Sequence, residues 1–179
     1  RHDAPRIAVP AALPVPRGAR STQDGFGRIL EDIARSDDSL ASRIVTASPD
    51  VAVSTNLGSW VNRRGIFHRQ ESGDTFAEEN VVSAQKWSMS PGGQHIELGI
   101  AEHNLFLLLS ALGLSGSMFG ARLLPIGTLY DPFICRALEG FMFNTYSGAR
   151  FIAVGTPSGV TLAREGGVHQ STVTPGIGI

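Results

Sequence analysis

Only one cysteine, Cys135, occurs in the 179 residues. That excludes an internal disulfide and leads us to expect a reducing, cytoplasmic setting. No apolar run reaches the roughly 18 uncharged residues of a membrane-spanning helix. No signal-peptide pattern is read at the start. Charge of one sign is lacking too: the net charge is −1. Neither nucleic acid nor an anionic membrane surface is therefore expected as a partner. Several chemical signatures are missing as well. There is no G-x-x-x-x-G-K-[ST] phosphate loop and no G-x-G-x-x-G after a strand. Gly25-Phe26-Gly27 falls inside a helical pattern, and Gly155-Thr156-Pro157-Ser158-Gly159 misplaces the serine of a nucleophile elbow. No Cys or His pair has zinc spacing, so no metal ligand is assigned. Internal repeats and low-complexity segments are absent.

What remains is the composition of one globular domain, 42% hydrophobic and 17% charged. Residues 1–20 carry Pro5, Pro10, Pro14 and Pro16 and read as an extended linker. Phe26, Ile29, Leu30 and Ile33 recur at helical spacing, which predicts a helix over 22–35 closed by Asp37-Asp38. Arg43–Ala47 reads as a short strand and Val51–Val53 as a second extended piece. Residues 54–93 are irregular, with Trp60 and Trp87 as packing anchors. From residue 94 the pattern sharpens. Gln94–Leu98 is a predicted strand, Ala101–Leu114 a helix apolar nearly all round, and Arg122–Thr128 a strand. A helix is predicted over Pro132–Tyr146, with proline at its first position. Arg150–Gly155 follows as a continuous apolar run typical of a buried parallel strand. Strands alternating with helices predict an α/β fold, a doubly wound, mostly parallel sheet flanked by helices. The chain opens on Arg1 and stops on Pro175-Gly176-Ile177-Gly178-Ile179, which reads as an excised piece of a larger protein.

Glu102 is the residue that stands out. It is a lone carboxylate between Gly99-Ile100-Ala101 and His103-Asn104-Leu105-Phe106-Leu107-Leu108-Leu109. Water exclusion favours the neutral form of a carboxylic acid, so a dry glutamate can exchange a proton with a ligand near neutral pH. A helix start opposes this by less than about 1 kcal/mol, so burial wins if the site closes. The plainer reading is a first-turn glutamate complementing the helix dipole. His95 reads as structural, and His103 as a cap or a contact to a partner.

Gly99-Ile100-Ala101-Glu102-His103 resembles the pyrimidine-binding domain of thiamine-diphosphate enzymes of the transketolase type. Ser21-Thr22-Gln23, Pro125–Tyr130, Arg150–Thr156 and Glu165-Gly166-Gly167-Val168-His169-Gln170 agree with that family in order. The resemblance implies that residues 21–179 are this domain, cut short at its C-terminal side. Lys86–Gly99 and the loop after Arg150 look most like the decarboxylase component of homodimeric pyruvate dehydrogenase. The Ala101-Glu102-His103 step and His169-Gln170 are equally similar to transketolase itself.

Thiamine diphosphate and Mg²⁺ are the implied cofactors. Glu102 would share a proton with the aminopyrimidine ring, and His169 would bind or protonate a substrate oxygen. Tyr130 would stack on the ring and Phe133 would wall the pocket, although both also suit ordinary core packing. The family holds the diphosphate and metal with a Gly-Asp-Gly motif, and here only Ser72-Gly73-Asp74-Thr75 occurs. A diphosphate-binding domain of a second subunit is therefore an implied partner. A homodimer and a lipoyl acyl-acceptor protein are expected with it. The implied activity is decarboxylation of a 2-oxo acid with acyl transfer, with two-carbon ketol transfer as the alternative. The isolated chain is expected to be inactive. A non-catalytic dimerisation or regulatory module is the remaining reading.

Overall fold

A parallel sheet needs both faces covered, and the sequence supplies two apolar sets to cover it. The structure, a computed structural model, describes residues 2–13, 15–36, 38–73, 78–83 and 86–156, with His169, Ser171 and Gly176. Asp37, Asp74, Thr75, Glu165 to Val168 and Gln170 lie outside the described residues. The strands are β1 (Ile44–Ser48), β2 (Ile66–Phe67), β3 (Met89–Ser90), β4 (His95–Glu97), β5 (Leu124–Leu129) and β6 (Ile152–Gly155). They form one sheet in the order β3-β2-β4-β1-β5-β6, parallel throughout. The helices are α1 (Thr22–Ser36), α2 (Gly58–Arg64), α3 (Glu102–Phe119) and α4 (Leu138–Ser147). Two 3₁₀ segments, Ala41–Arg43 and Asp131–Ala137, complete the described elements. This is the expected α/β class.

Side chains alternate across a strand, and the alternation sorts the core into two layers. Ile44 and Ile126 join Leu30, Ile33, Leu57 and Trp60, contributed by α1, α2 and the turn before α2. Ala47 and Leu129, three residues further along their strands, join Leu105, Phe106 and Leu109 of α3. Gly127 lies on that second face. A Cβ there would come within 2.6 Å of Leu109 Cδ1, so the glycine lets α3 lie close on β5.

The observed elements differ from the predicted ones in ways that matter here. Val51–Val53 is a turn, because Ser48 Oγ accepts the Val51 N–H at 3.0 Å and Asp50 takes a positive φ of 65°. The irregular 54–93 stretch contains α2 and two strands too short to show a period. The helix predicted from Pro132 is a 3₁₀ segment followed by α4. β6 was expected to be buried but lies at the sheet edge with only β5 beside it, so Ile152 is exposed. α3 is not apolar-buried all round: Leu107, Met118 and Phe119 are exposed. Among the described residues no helix is long and apolar enough to cross a membrane.

Gly113 seats α3 against the start of the β6 segment. A Cβ at this position would lie 2.7 Å from both the backbone N and O of Arg150. Alanine gains about 1 kcal/mol of helix propensity over glycine. Overpacking against backbone atoms that cannot rotate away costs about 1–3 kcal/mol. Gly113→Ala is therefore expected to give no net stabilisation and to cost up to about 2 kcal/mol in urea unfolding, against the propensity trend.

Candidate functional site

In open parallel sheets ligands bind beyond the carboxyl ends of the strands. Two of those ends carry the residues of interest. β4 leads through Gly99, with φ of 65°, into α3, whose first residue is Glu102. Glu102 lies on the same helical stripe as Leu105, Phe106 and Leu109, the i, i+3, i+4, i+7 positions that face the sheet. Its burial follows from that placement, and its carboxylate side chain is only 8% exposed. It is also in the first turn, so the dipole-complementing role and burial coexist.

β5 ends at Leu129, and Tyr130 leads into the 3₁₀ segment. In a 3₁₀ helix residues three apart eclipse one another. Phe133 and Arg136 therefore stack, and Tyr130, the extended residue just before the segment, packs beside Phe133. Tyr130 and Phe133 rings sit 6.1 Å apart. His169 closes on both, 5.1 Å from Tyr130 and 5.5 Å from Phe133 between ring centroids. The Arg136 guanidinium lies over the Phe133 face at 4.2 Å. Its Nη1 donates to Glu102 Oε1 at 3.5 Å. The structure thus joins all four predicted site residues, Glu102, Tyr130, Phe133 and His169, into one cluster.

Sequence reasoning missed Arg136, the residue that links the carboxylate to the aromatic set. The signal was a spacing of three, Phe133-x-x-Arg136, which a helical reading at 3.6 residues per turn does not group.

A second polar set lies under the same edge. His95 is fully buried, and its Nδ1 shares a hydrogen bond with Thr46 Oγ1 at 2.9 Å. Its Nε2 lies 3.3 Å from Glu97 Oε2. Glu97 Oε1 accepts the backbone N–H of Asp50 at 2.7 Å and of Leu98 at 3.1 Å. His95 is held inside the fold by these bonds, and those of Glu97 hold the left-handed Asp50 turn at the carboxyl end of β1. His103 is exposed and faces α4, where a Cβ on Gly140 would lie 3.5 Å from its Cε1. Nearby, Thr55 and Thr128 hydroxyls share a buried bond of 2.9 Å. Thr156 Oγ1 donates to Gln23 Oε1 at 2.6 Å, tying α1 to the end of β6. Among the described residues no cluster of three or more His, Cys, Asp or Glu is placed to hold a metal ion.

Burial alone pushes the Glu97 carboxyl up, but the hydrogen bonds from His95 and from the Asp50 and Leu98 amides outweigh it and hold it below its ordinary 4.5. A carboxyl lowered in the folded state contributes stability above its unfolded pKa and loses it as pH falls through the folded one. The melting temperature is therefore expected to drop as pH falls below about 4.5, and Glu97→Gln to flatten that drop. Thermal melts of both proteins between neutral pH and that range measure it.

The all-parallel six-stranded sheet with flanking helices matches the fold of solved transketolases. Transketolase from Leishmania mexicana superposes with a TM-score of 0.66 at 20% identity, covering 93% of this chain and 21% of that one. Transketolase from Campylobacter jejuni subsp. jejuni gives 0.60 at 16% identity, covering 87% of this chain and 19% of that one. The chain spans about a fifth of the length of these two transketolases. No protein-family model matches the sequence, and no curated protein sequence does.

Proposed function

We propose that this chain supplies the aminopyrimidine half of a thiamine-diphosphate site in a transketolase-like enzyme. The observation that carries it is the Glu102 carboxylate, buried at the start of α3 and joined through Arg136 to the Tyr130–Phe133–His169 aromatic set. The residues fit such a ring. The bond from Arg136 to Glu102 Oε1 is at the 3.5 Å limit, so the carboxyl keeps capacity to share a proton with a ring nitrogen. Phe133 and Tyr130 offer aromatic surface of the kind a flat heterocycle stacks on. Thiamine diphosphate, when bound, supplies a carbanion-type nucleophile and an electron sink. Glu102 would hold and return a proton at the pyrimidine nitrogen. The aromatic residues would keep water from that carboxylate, and His169 would hold or donate a proton at a substrate oxygen.

The diphosphate and Mg²⁺ would be bound by another domain, on a second subunit of a homodimer. An exposed apolar surface supports a covering partner: Ile100, Leu107, Leu138, Met142, Phe143 and Tyr146, the last 91% exposed. The favoured reaction is decarboxylation of a pyruvate-type 2-oxo acid with acyl transfer to a lipoyl acceptor, on the strength of Lys86–Gly99. In a polypeptide that also carries a diphosphate-binding domain, Glu102→Ala should abolish thiamine-diphosphate-dependent turnover. Near-normal turnover refutes the role. Assaying lipoyl against aldose acceptors separates acyl from ketol transfer, and a protein inactive with every acceptor but still dimeric would be the regulatory module instead.

A further inference from the structure

We propose that Arg136 gates the pyrimidine site: its guanidinium and the aminopyrimidine ring compete for the same face of Phe133. The inference rests on the reading above and concerns how that site is regulated. The two groups are chemically alike where it matters. A guanidinium is planar, carries N–H donors along its edge and stacks on aromatic faces. An aminopyrimidine is also planar, shares a proton with a carboxyl group through a ring nitrogen and stacks on the same kind of face. Arg136 makes both contacts at once, lying 4.2 Å over Phe133 and donating to Glu102 Oε1 at 3.5 Å. One face of Phe133 cannot carry two planar groups at once, so the ring can take that face only when the guanidinium leaves it.

The contact is built to open. The Arg136 side chain is 57% exposed, whereas Glu102 is 8% exposed. A bond at the distance limit, to a half-exposed cation near the end of a 3₁₀ segment, is held weakly. Arg136 can swing into solvent without disturbing the core, while Glu102 stays where α3 fixes it. A ligand that binds only when the arginine is out sees its affinity reduced by the fraction of time it is out. Removing the guanidinium should recover that fraction.

The test is an NMR titration of the chain with the neutral hydroxymethyl aminopyrimidine fragment of thiamine. A neutral probe keeps simple attraction or repulsion by the arginine charge out of the reading. Arg136→Met is expected to bind about threefold to tenfold tighter than wild type, a gain of about 0.7–1.4 kcal/mol. Arg136→Lys should fall between them, since an ammonium cannot lie flat on Phe133. The Arg136 Nε–H resonance of the wild type should shift as the probe binds, and Glu102→Gln should bind more weakly. If Arg136→Met binds no tighter than wild type while Glu102→Gln loses binding, the gate is wrong and the pyrimidine site stands. If none of the proteins binds the probe, both the site and the gate fall.

Discussion

Replacing Glu102 by alanine is expected to lower thiamine-diphosphate-dependent turnover by about 10²–10⁴-fold while leaving the fold in place. The size is that of removing a positioned proton-transfer group. The small structural effect follows from what the carboxylate touches. Its hydrogen bond to Arg136 is 3.5 Å long and the arginine is 57% exposed, so the pair contributes at most about 1 kcal/mol. Loss of the dipole interaction costs a further 0.3–1 kcal/mol or so, and alanine's helix propensity offsets part of it. Urea unfolding free energies within about 2 kcal/mol of wild type, alongside the lost turnover, would separate a chemical role from a structural one. A large stability loss with residual turnover near wild type would make Glu102 a structural residue. Glu102→Gln sharpens the comparison, because it keeps the volume and a hydrogen-bonding oxygen but cannot take up the proton.

The region from residue 94 to 155 was legible because each segment carried its own signal. Gln94–Leu98, Arg122–Thr128 and Arg150–Gly155 showed as strands, and the Leu-rich run after Glu102 could only be a helix against a sheet. Glu102 itself was visible because a charge inside an apolar stripe is rare enough to notice. The segment 54–93 was opaque for a physical reason. β2 and β3 have two residues each, and their place in the sheet is fixed by parallel pairing with distant residues, Ile66 with Met89 and with His95. No local period encodes that pairing. Arg136 was hidden by a different cause. Pro132 permits either an α-helix or a tighter 3₁₀ start, and only the latter stacks Arg136 on Phe133. The turn at Asp50 was invisible for a third: its support comes from Glu97, which is 47 residues away along the chain. What sequence patterns conveyed well was therefore the covered sheet. What they conveyed poorly was polar geometry assembled at its carboxyl edge from separate loops.

Phe106→Ala is expected to cost about 3–5 kcal/mol, the usual loss on truncating a buried aromatic to alanine. Phe106 is only 1% exposed and sits at the centre of a three-ring cluster. Its ring meets Phe141 edge-on at 5.6 Å and Phe151 at 6.2 Å, and those two meet each other at 6.3 Å. Phe141 belongs to α4 and Phe151 precedes β6, so one side chain of α3 ties both to it. The Phe106 carbonyl accepts Asn144 Nδ2 at 2.8 Å, a bond the mutation leaves in place, so the loss measures ring packing rather than backbone pairing. Against a total stability of about 5–15 kcal/mol, this brings the chain close to the unfolding threshold. Denaturant unfolding reads the loss directly, and Phe106→Leu should cost far less because it conserves most of the volume. The consequence reaches the site. Glu102 lies one turn before Phe106 on the same buried stripe, so loosening that stripe frees the carboxylate to move relative to the Tyr130–Phe133 pair. Phe106→Ala should therefore weaken binding of the aminopyrimidine probe together with a large loss of stability, whereas Glu102→Ala weakens binding with a much smaller one. Loss of less than about 1 kcal/mol in Phe106→Ala would mean that the seat of α3 lies elsewhere.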